Sequence, residues 1–181
     1  MLLPLDALLL RGARARLCSR AEGKVLEVAL GTGLNLPYYP SGVQLVGVDQ
    51  SPGMLARAHR RARRAGRRVK LLVGDAQHLD LPDGAFDTVV ITLGLCTIPD
   101  PAAALREARR VLRPGGRLLL LEHVRSPVPL VRALQRALEP VARLWGDHLL
   151  RDPLDHLEGF SVERLERRAL GLLELVEARR T

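Results

Sequence analysis

The chain has 181 residues, 47% of them hydrophobic, enough apolar material for one well-buried domain and too little for two. Its two cysteines, Cys18 and Cys96, exclude a disulfide-built secreted scaffold, and no Cys or His pair has zinc-ligand spacing. One domain over residues 1–181, in a reducing cytoplasm and without a metal, is the expectation. The formal net charge of +8 draws anions in general, but Tyr38, Tyr39, Phe86, Trp145 and Phe160 are too few aromatics for a surface that stacks single-stranded bases.

In chain order, Met1 to Leu10 is apolar but broken by Asp6 and has no basic segment ahead of it, so it reads as an amphipathic helix end rather than a leader. No apolar run approaches the roughly 20 residues that cross a bilayer. Lys24 to Leu30 is a β-branched and leucine-rich run ending at Gly31, the form of a strand buried on both faces. Similar runs follow at Val43 to Val48, Val69 to Val73, Asp87 to Leu93 and Arg117 to Glu122. Between them, Ser51-Pro52 opens a helix to about Ala65, and Asp100-Pro101 opens another that stops before Arg113 and carries Ala104, Leu105, Ala108, Val111 and Leu112 on one stripe. This alternation predicts a parallel sheet with right-handed crossovers. A third helix, Leu130 to Trp145, is expected to turn Leu130, Leu134, Leu138 and Val141 inward, with Arg132, Arg136 and Arg143 mostly opposite and a kink at Pro140. The tail predicts an antiparallel edge pair, Val162 to Arg167 and Leu172 to Ala178, parted by Gly171.

The densest chemical signal is the turn Glu27-Val-Ala-Leu-Gly31-Thr-Gly33, where a buried strand bends through glycines that let backbone approach a ligand. One strand later, Asp49 puts a carboxylate at a strand end, where it can grip the ribose hydroxyls of an adenosine cofactor. Leu36 stands where a third glycine would pack beneath a pyrophosphate, which argues against a dinucleotide and an NAD-dependent oxidoreductase. A sulfonium cofactor has no pyrophosphate, and Glu27 can hold its ammonium group directly or through water.

The order Glu27-x-Ala-x-Gly-x-Gly, Val-Asp49, Gly74-Asp75-Ala76, Phe86-Asp87 and Arg113-Pro-Gly-Gly resembles the class I S-adenosylmethionine-dependent methyltransferases over about residues 24 to 122. The run Gly-Thr-Gly-Leu-Asn-Leu-Pro-Tyr-Tyr-Pro, with Thr97-Ile-Pro-Asp-Pro and Leu121-Glu-His-Val, resembles their ubiquinone/menaquinone methyltransferase-like group, to which phospholipid and thiol methyltransferases are similar. The resemblance implies a Rossmann-like, doubly wound α/β fold with a seven-stranded, mostly parallel sheet and an antiparallel last strand. It places Glu27, Gly31 and Gly33 around the methionine arm of S-adenosylmethionine, with Ala29 and Thr32 in the same turn and Asn35 close by. Asp49 then holds the ribose diol, Gln50 and Met54 flank the adenosine, Asp75 and Ala76 meet the adenine, and Thr92 and Leu93 lie beneath the sulfonium. Three departures stand out. Ala29 replaces the first glycine, a methyl group being tolerable there at negative φ; the segment before the first strand is short; and Thr92-Leu-Gly-Leu lacks the Pro-Pro-aromatic run of base-amino methyltransferases.

His123, after the fifth strand, is the candidate general base, against a structural role in hydrogen bonding. His148, Arg151 and Asp152 could also reach an acceptor. Cys96 reads as a small buried hydrophobe, His59 and His156 as surface residues, and the arginines from Arg57 to Arg68 as a solvated face. The expected acceptor is a small or lipid-like molecule of quinone, phospholipid or thiol type, and nucleic acid is disfavoured. The 130–145 helix could rest on a membrane, but its stripe is expected to close the pocket or core. The alternative to an enzyme is a catalytically silent cofactor-binding module or partner subunit.

Overall fold

A computed structural model describes residues 10–181, so the expected helix end at Met1 to Leu10 lies almost wholly outside the described residues. The elements run α1 (Arg11–Cys18), β1 (Lys24–Val28), β2 (Gln44–Asp49), α2 (Pro52–Arg64), β3 (Val69–Val73), β4 (Phe86–Thr92), α3 (Pro101–Val111), β5 (Leu112–His123), α4 (Pro129–Leu144), β6 (Phe160–Arg168) and β7 (Leu173–Arg180). All seven strands form one sheet in the order β3-β2-β1-β4-β5-β7-β6. The first five are parallel, and β7 is antiparallel to both its neighbours, β5 and β6. The Rossmann-like sheet with one reversed strand is therefore as expected.

Strand alternation divides the core between the two faces of the sheet. Val25, Val90, Leu119 and Leu121 point to a face covered by α1 and α2 through Leu17, Leu55 and Ala58. Leu26, Val89, Ile91, Leu118 and Leu120 point to the other, covered by α3 through Ala104, Leu105, Ala108 and Val111. Ser51 and Asp100 cap α2 and α3, accepting from the amides of Met54 at 3.3 Å and Ala103 at 2.9 Å.

One expectation is borne out with a difference in strand order, and one is corrected. The tail strands form the expected antiparallel pair at one side of the sheet, but out of chain order: β7 is inserted between β5 and β6, so that β6 is the outermost strand. The charges of β7 are buried in pairs, with Glu174 accepting from Arg167 at 2.7 Å and Glu177 from Arg20 at 2.7 Å and Arg117 at 3.3 Å. The stripe of α4 faces the other way. Leu130, Leu134, Leu138 and Val141 are exposed, and the buried side chains are Gln135 and Glu139. Backbone groups left over at the end of β5 explain this orientation, because Gln135 accepts from Ser126 N at 2.8 Å and donates to Val124 O and Leu149 O at 3.0 Å. The helix runs without interruption through Pro140.

Candidate active site

The sheet reverses its winding between β1 and β4, and a cleft of about 330 Å³ opens there at the carboxyl ends of β1 to β4. Parallel strands stop at this edge with backbone groups unpaired, and crossovers leave on opposite sides, so open α/β sheets bind ligands here. Ala29, Gly31, Asp49, Gln50, Met54, Asp75, Ala76 and Leu93 line the cleft, joined by Val48, Ser51, Gly94 and Ile98.

The turn after β1 is built by glycine. Gly31 has φ 59° with open space where a side chain would stand, and Gly33 has φ 72° and lies so close to Leu36 and Ala58 that a Cβ would come within 2.7 Å of Leu36. Asp49 ties the turn to β2: one carboxylate oxygen accepts from Gly31 N at 2.8 Å and the other from Ser51 N at 2.9 Å. A carboxylate offers about four acceptor positions, so two remain for a diol. At the end of β3, Gln77 donates to Asp75 from backbone and side chain, which holds the Asp75 carboxyl below its usual range and leaves it a fixed acceptor. Open space at Gly31, two carboxylates at successive strand ends and the apolar Met54, Leu93 and Ile98 together suit an adenosine group.

Five of the candidate cofactor-binding residues do not line the cleft. Glu27, Asn35 and Thr92 form a buried cluster behind the turn, where Asn35 donates to Glu27 at 2.8 Å and to Thr92 at 2.8 Å. Tyr39 donates to Glu27 at 2.9 Å, and Arg14 of α1 donates to Asn35 at 2.9 Å and Thr92 at 3.2 Å. Burial pushes the Glu27 carboxyl up to about 7, against the opposing pull of these hydrogen bonds. Gly33 packs against α2, and Thr32 is gripped by Arg61, whose guanidinium donates to its carbonyl at 2.6 Å and its hydroxyl at 2.9 Å. Arg61 is thus not part of a solvated face, and neither is Arg67, which bonds the carbonyls of Tyr39 and Pro40. Arg57, Arg60, Arg63, Arg64 and Arg68 are exposed as expected, as are His59 and His156. Ala29 has φ 53° rather than a negative value, so its methyl group is held in the left-handed region.

His123 lies beyond the 93–99 loop in a narrow cleft of its own with Cys96, Glu122 and Arg151. Its Nε2 meets Asp147 at 3.0 Å, while its Nδ1 is buried without a partner among the described residues. Cys96 is buried, and its sulfur lies with His123 and Asp147 in a group whose ligand atoms are within 4.8 Å of one another, close enough to hold a metal ion. Spacing could not reveal that group, since its members come from three separate segments. Glu122 accepts from the amides of Gly94 at 2.9 Å and Leu95 at 3.2 Å, and burial raises its carboxyl to about 7. Arg151 donates to the carbonyls of Leu95 at 2.8 Å, Ile98 at 2.5 Å and Pro99 at 3.2 Å, so it fastens the loop that walls both clefts. His148 and Asp152 face Glu139 and Arg125.

Residues 26–120 match the family described as methyltransferase domain. The chain is 36% identical over 157 residues to a phosphatidylethanolamine N-methyltransferase of Cereibacter sphaeroides, covering 86% of this chain and 72% of that one. It is 44% identical over 111 residues to a demethylmenaquinone methyltransferase of Thermus thermophilus, covering 60% of this chain and 50% of that one, so it spans only half the length of that relative. A solved S-adenosylmethionine-dependent methyltransferase of Thermotoga maritima superposes with a TM-score of 0.74 at 22% identity, covering 99% of this chain and 94% of that one, a likeness of fold. With the matched family spanning the strands that build the cleft, the chain belongs to the S-adenosylmethionine-dependent methyltransferases, and S-adenosylmethionine is its cofactor.

Proposed function

We propose that the chain, acting over residues 1–181 as one cytoplasmic domain, transfers a methyl group to a lipid-like or small-molecule acceptor of quinone, phospholipid or thiol type. The relatives' names support this acceptor class. The two free, buried cysteines are consistent with a reducing compartment, and no helix among the described residues is long and apolar enough to cross a membrane. Peripheral contact with a membrane belongs to the same reading.

The observation that carries the proposal is Asp49, which faces the cleft at the switch point and is oriented by two backbone amides. Asp49 would hold the ribose diol, Asp75 the adenine amino group, and Met54 and Ile98 the faces of the ring. When bound, the sulfonium supplies an activated methyl group with a neutral thioether as leaving group. The protein's task is then to position the acceptor and exclude water, and orientation alone can contribute on the order of 7–11 kcal/mol. Asp147 calls for the His123 proton on Nε2, so proton removal from an acidic acceptor would fall to Nδ1, which is buried in this structure and would have to be uncovered as the acceptor enters.

Titration calorimetry should show S-adenosylmethionine and S-adenosylhomocysteine binding, and NAD not. Asp49→Ala should weaken binding by roughly one to two decades, since a hydrogen bond to a charged group is typically worth about 1.5–3 kcal/mol. Binding of Asp49→Ala at the wild-type level would remove the ribose assignment. Incubation with labelled methyl donor and a lipid and metabolite extract, read by mass spectrometry, identifies the acceptor. With that acceptor, His123→Ala should lower turnover far more than cofactor affinity. Cofactor binding without any labelled product would leave a silent binding module.

A further inference from the structure

Carboxylates around the sheet are commonly paired with arginine: Asp87 with Arg113, Glu107 with Arg110, Glu174 with Arg167, and Glu177 with Arg20 and Arg117. The cleft of His123 breaks this pattern. Among the described residues neither Glu122 nor Asp147 has a Lys or Arg partner, although the chain carries 28 of them. Arg151 lines the same cleft, but it turns its guanidinium to the carbonyls of Leu95, Ile98 and Pro99. Two buried polar atoms there, Glu122 Oε2 and His123 Nδ1, have no hydrogen-bond partner among the described residues, and Glu122 is only 1% exposed. The charge of Glu122 reaches Cys96, and that of Asp147 reaches both. A buried carboxyl oxygen without a partner calls for a proton or a cation.

The donor set says which cation. Cys96 Sγ, a ring nitrogen of His123 and a carboxylate oxygen of Asp147 lie within 4.8 Å of one another, brought together from the 93–99 loop, the end of β5 and the segment after α4. Around a tetrahedral zinc ion such atoms stand roughly 3.3–3.6 Å apart, so closure takes shifts of about 1 Å. Asp147 can supply them, being 36% exposed and following Gly146, whose φ of 74° turns the chain out of α4. Mixed sulfur, nitrogen and oxygen donors suit zinc, whereas calcium and magnesium take oxygen. Three protein ligands leave a position open, as catalytic sites do. Cys96 forms the buried floor, with His123 and Asp147 on the open side. We propose that Cys96, His123 and Asp147 bind a zinc-class divalent ion whose open position takes the sulfur of a thiol acceptor. The S–H proton passes to water as the thiolate joins the ion; its attack forms the S–CH3 bond while the methyl–sulfonium bond breaks to a neutral thioether. With the ion in place His123 is a ligand, and no uncovering of Nδ1 is required. The inference rests on the methyl-acceptor reading for its purpose and narrows that reading to the thiol.

Equilibrium dialysis of the untagged, reduced protein against zinc should find about one ion per chain with a Kd of about 1 μM or tighter. Cobalt(II) in its place should give the sulfur-to-metal charge-transfer band of a coordinated cysteine, and ethanethiol should perturb that band while the metal stays bound through gel filtration. Cys96→Ser should abolish the band. Asp147→Asn, at a part-exposed position, should weaken zinc binding at least about tenfold while keeping the wild-type melting temperature without metal and the wild-type S-adenosylhomocysteine affinity. His59→Gln, which alters an exposed histidine of α2, should change none of these. No stoichiometric binding would overturn the proposal, as would zinc held at wild-type strength by both Cys96→Ser and Asp147→Asn or lost equally in His59→Gln, which would make it an adventitious surface ion. A cobalt band indifferent to ethanethiol would overturn the open position and the thiol with it. Because S-adenosylhomocysteine binding is read separately, failure of the metal site and failure of the methyl-transfer reading are distinguishable.

Discussion

At the scale of single residues, strain gathers at the cleft. Ala29 and Leu93, with φ 53° and 51°, are the non-glycine lining residues in the left-handed region, and they stand at the ends of β1 and β4, where the sheet reverses. Ala29 keeps its methyl group because its neighbour across the turn is Gly94, where an added Cβ would come within 2.9 Å of it. A left-handed alanine costs about 1–2 kcal/mol, part of which a glycine returns through the entropy of the unfolded chain. Ala29→Gly should therefore raise stability by about 1 kcal/mol, seen in calorimetry as a melting temperature higher by about 2–4 °C. The same residues show what the sequence could disclose. A carboxylate or glycine at a strand end announces its place, so Asp49, Asp75 and Gly31 were legible. The network that joins Glu27, Asn35 and Thr92 to Tyr39 and Arg14 carries no such mark, because its members come from distant segments.

Elements are positioned by long arginine side chains that the sequence hides. Arg61 reaches Thr32 across 29 positions, and Arg151 reaches Leu95 across 56. In an arginine-rich chain neither is marked by its neighbours. Arg151→Ala should free the 94–99 loop, with faster amide hydrogen exchange there and cofactor affinity lowered by about tenfold. Arg61→Ala should act likewise on the glycine turn, whereas Arg64→Ala, which alters an exposed side chain, should leave affinity within about threefold. The strands and the buried stripe of α3 were readable because hydrophobic period reports element type directly. Period reports which face of α4 is apolar but not whether that face is covered, and there the requirements of Val124 O and Ser126 N decided the outcome. The place of β7 was likewise hidden, because the partners of Glu177 lie 157 and 60 positions away.

For the molecule as a whole, two carboxyl groups buried at opposite sides of the sheet edge govern the response to pH. Burial raises both Glu27 and Glu122 from 4.5 to about 7, so the folded state binds more protons than the unfolded chain between those values. Their contribution is fully present below pH 4.5 and lost as pH rises through 7, at most about 3 kcal/mol for each group. Asp87 and Glu107 act in the opposite sense: hydrogen bonds from Lys24 N and Arg113, and from Arg110, hold them low, and their contribution fades as acid protonates them below 3.8 and 4.5. Thermal melts should therefore find greatest stability near pH 5 and a decline toward pH 8, and the double variant E27Q/E122Q should flatten that decline. The strand order has a consequence for synthesis. Because β7 (Leu173–Arg180) lies between β5 and β6, β6 leaves the ribosome with no neighbour to pair with, and the sheet cannot close until residue 180 has followed it. Nascent chains halted before Leu173 should therefore remain protease-sensitive and dependent on chaperones, whatever their content of finished β1 to β5.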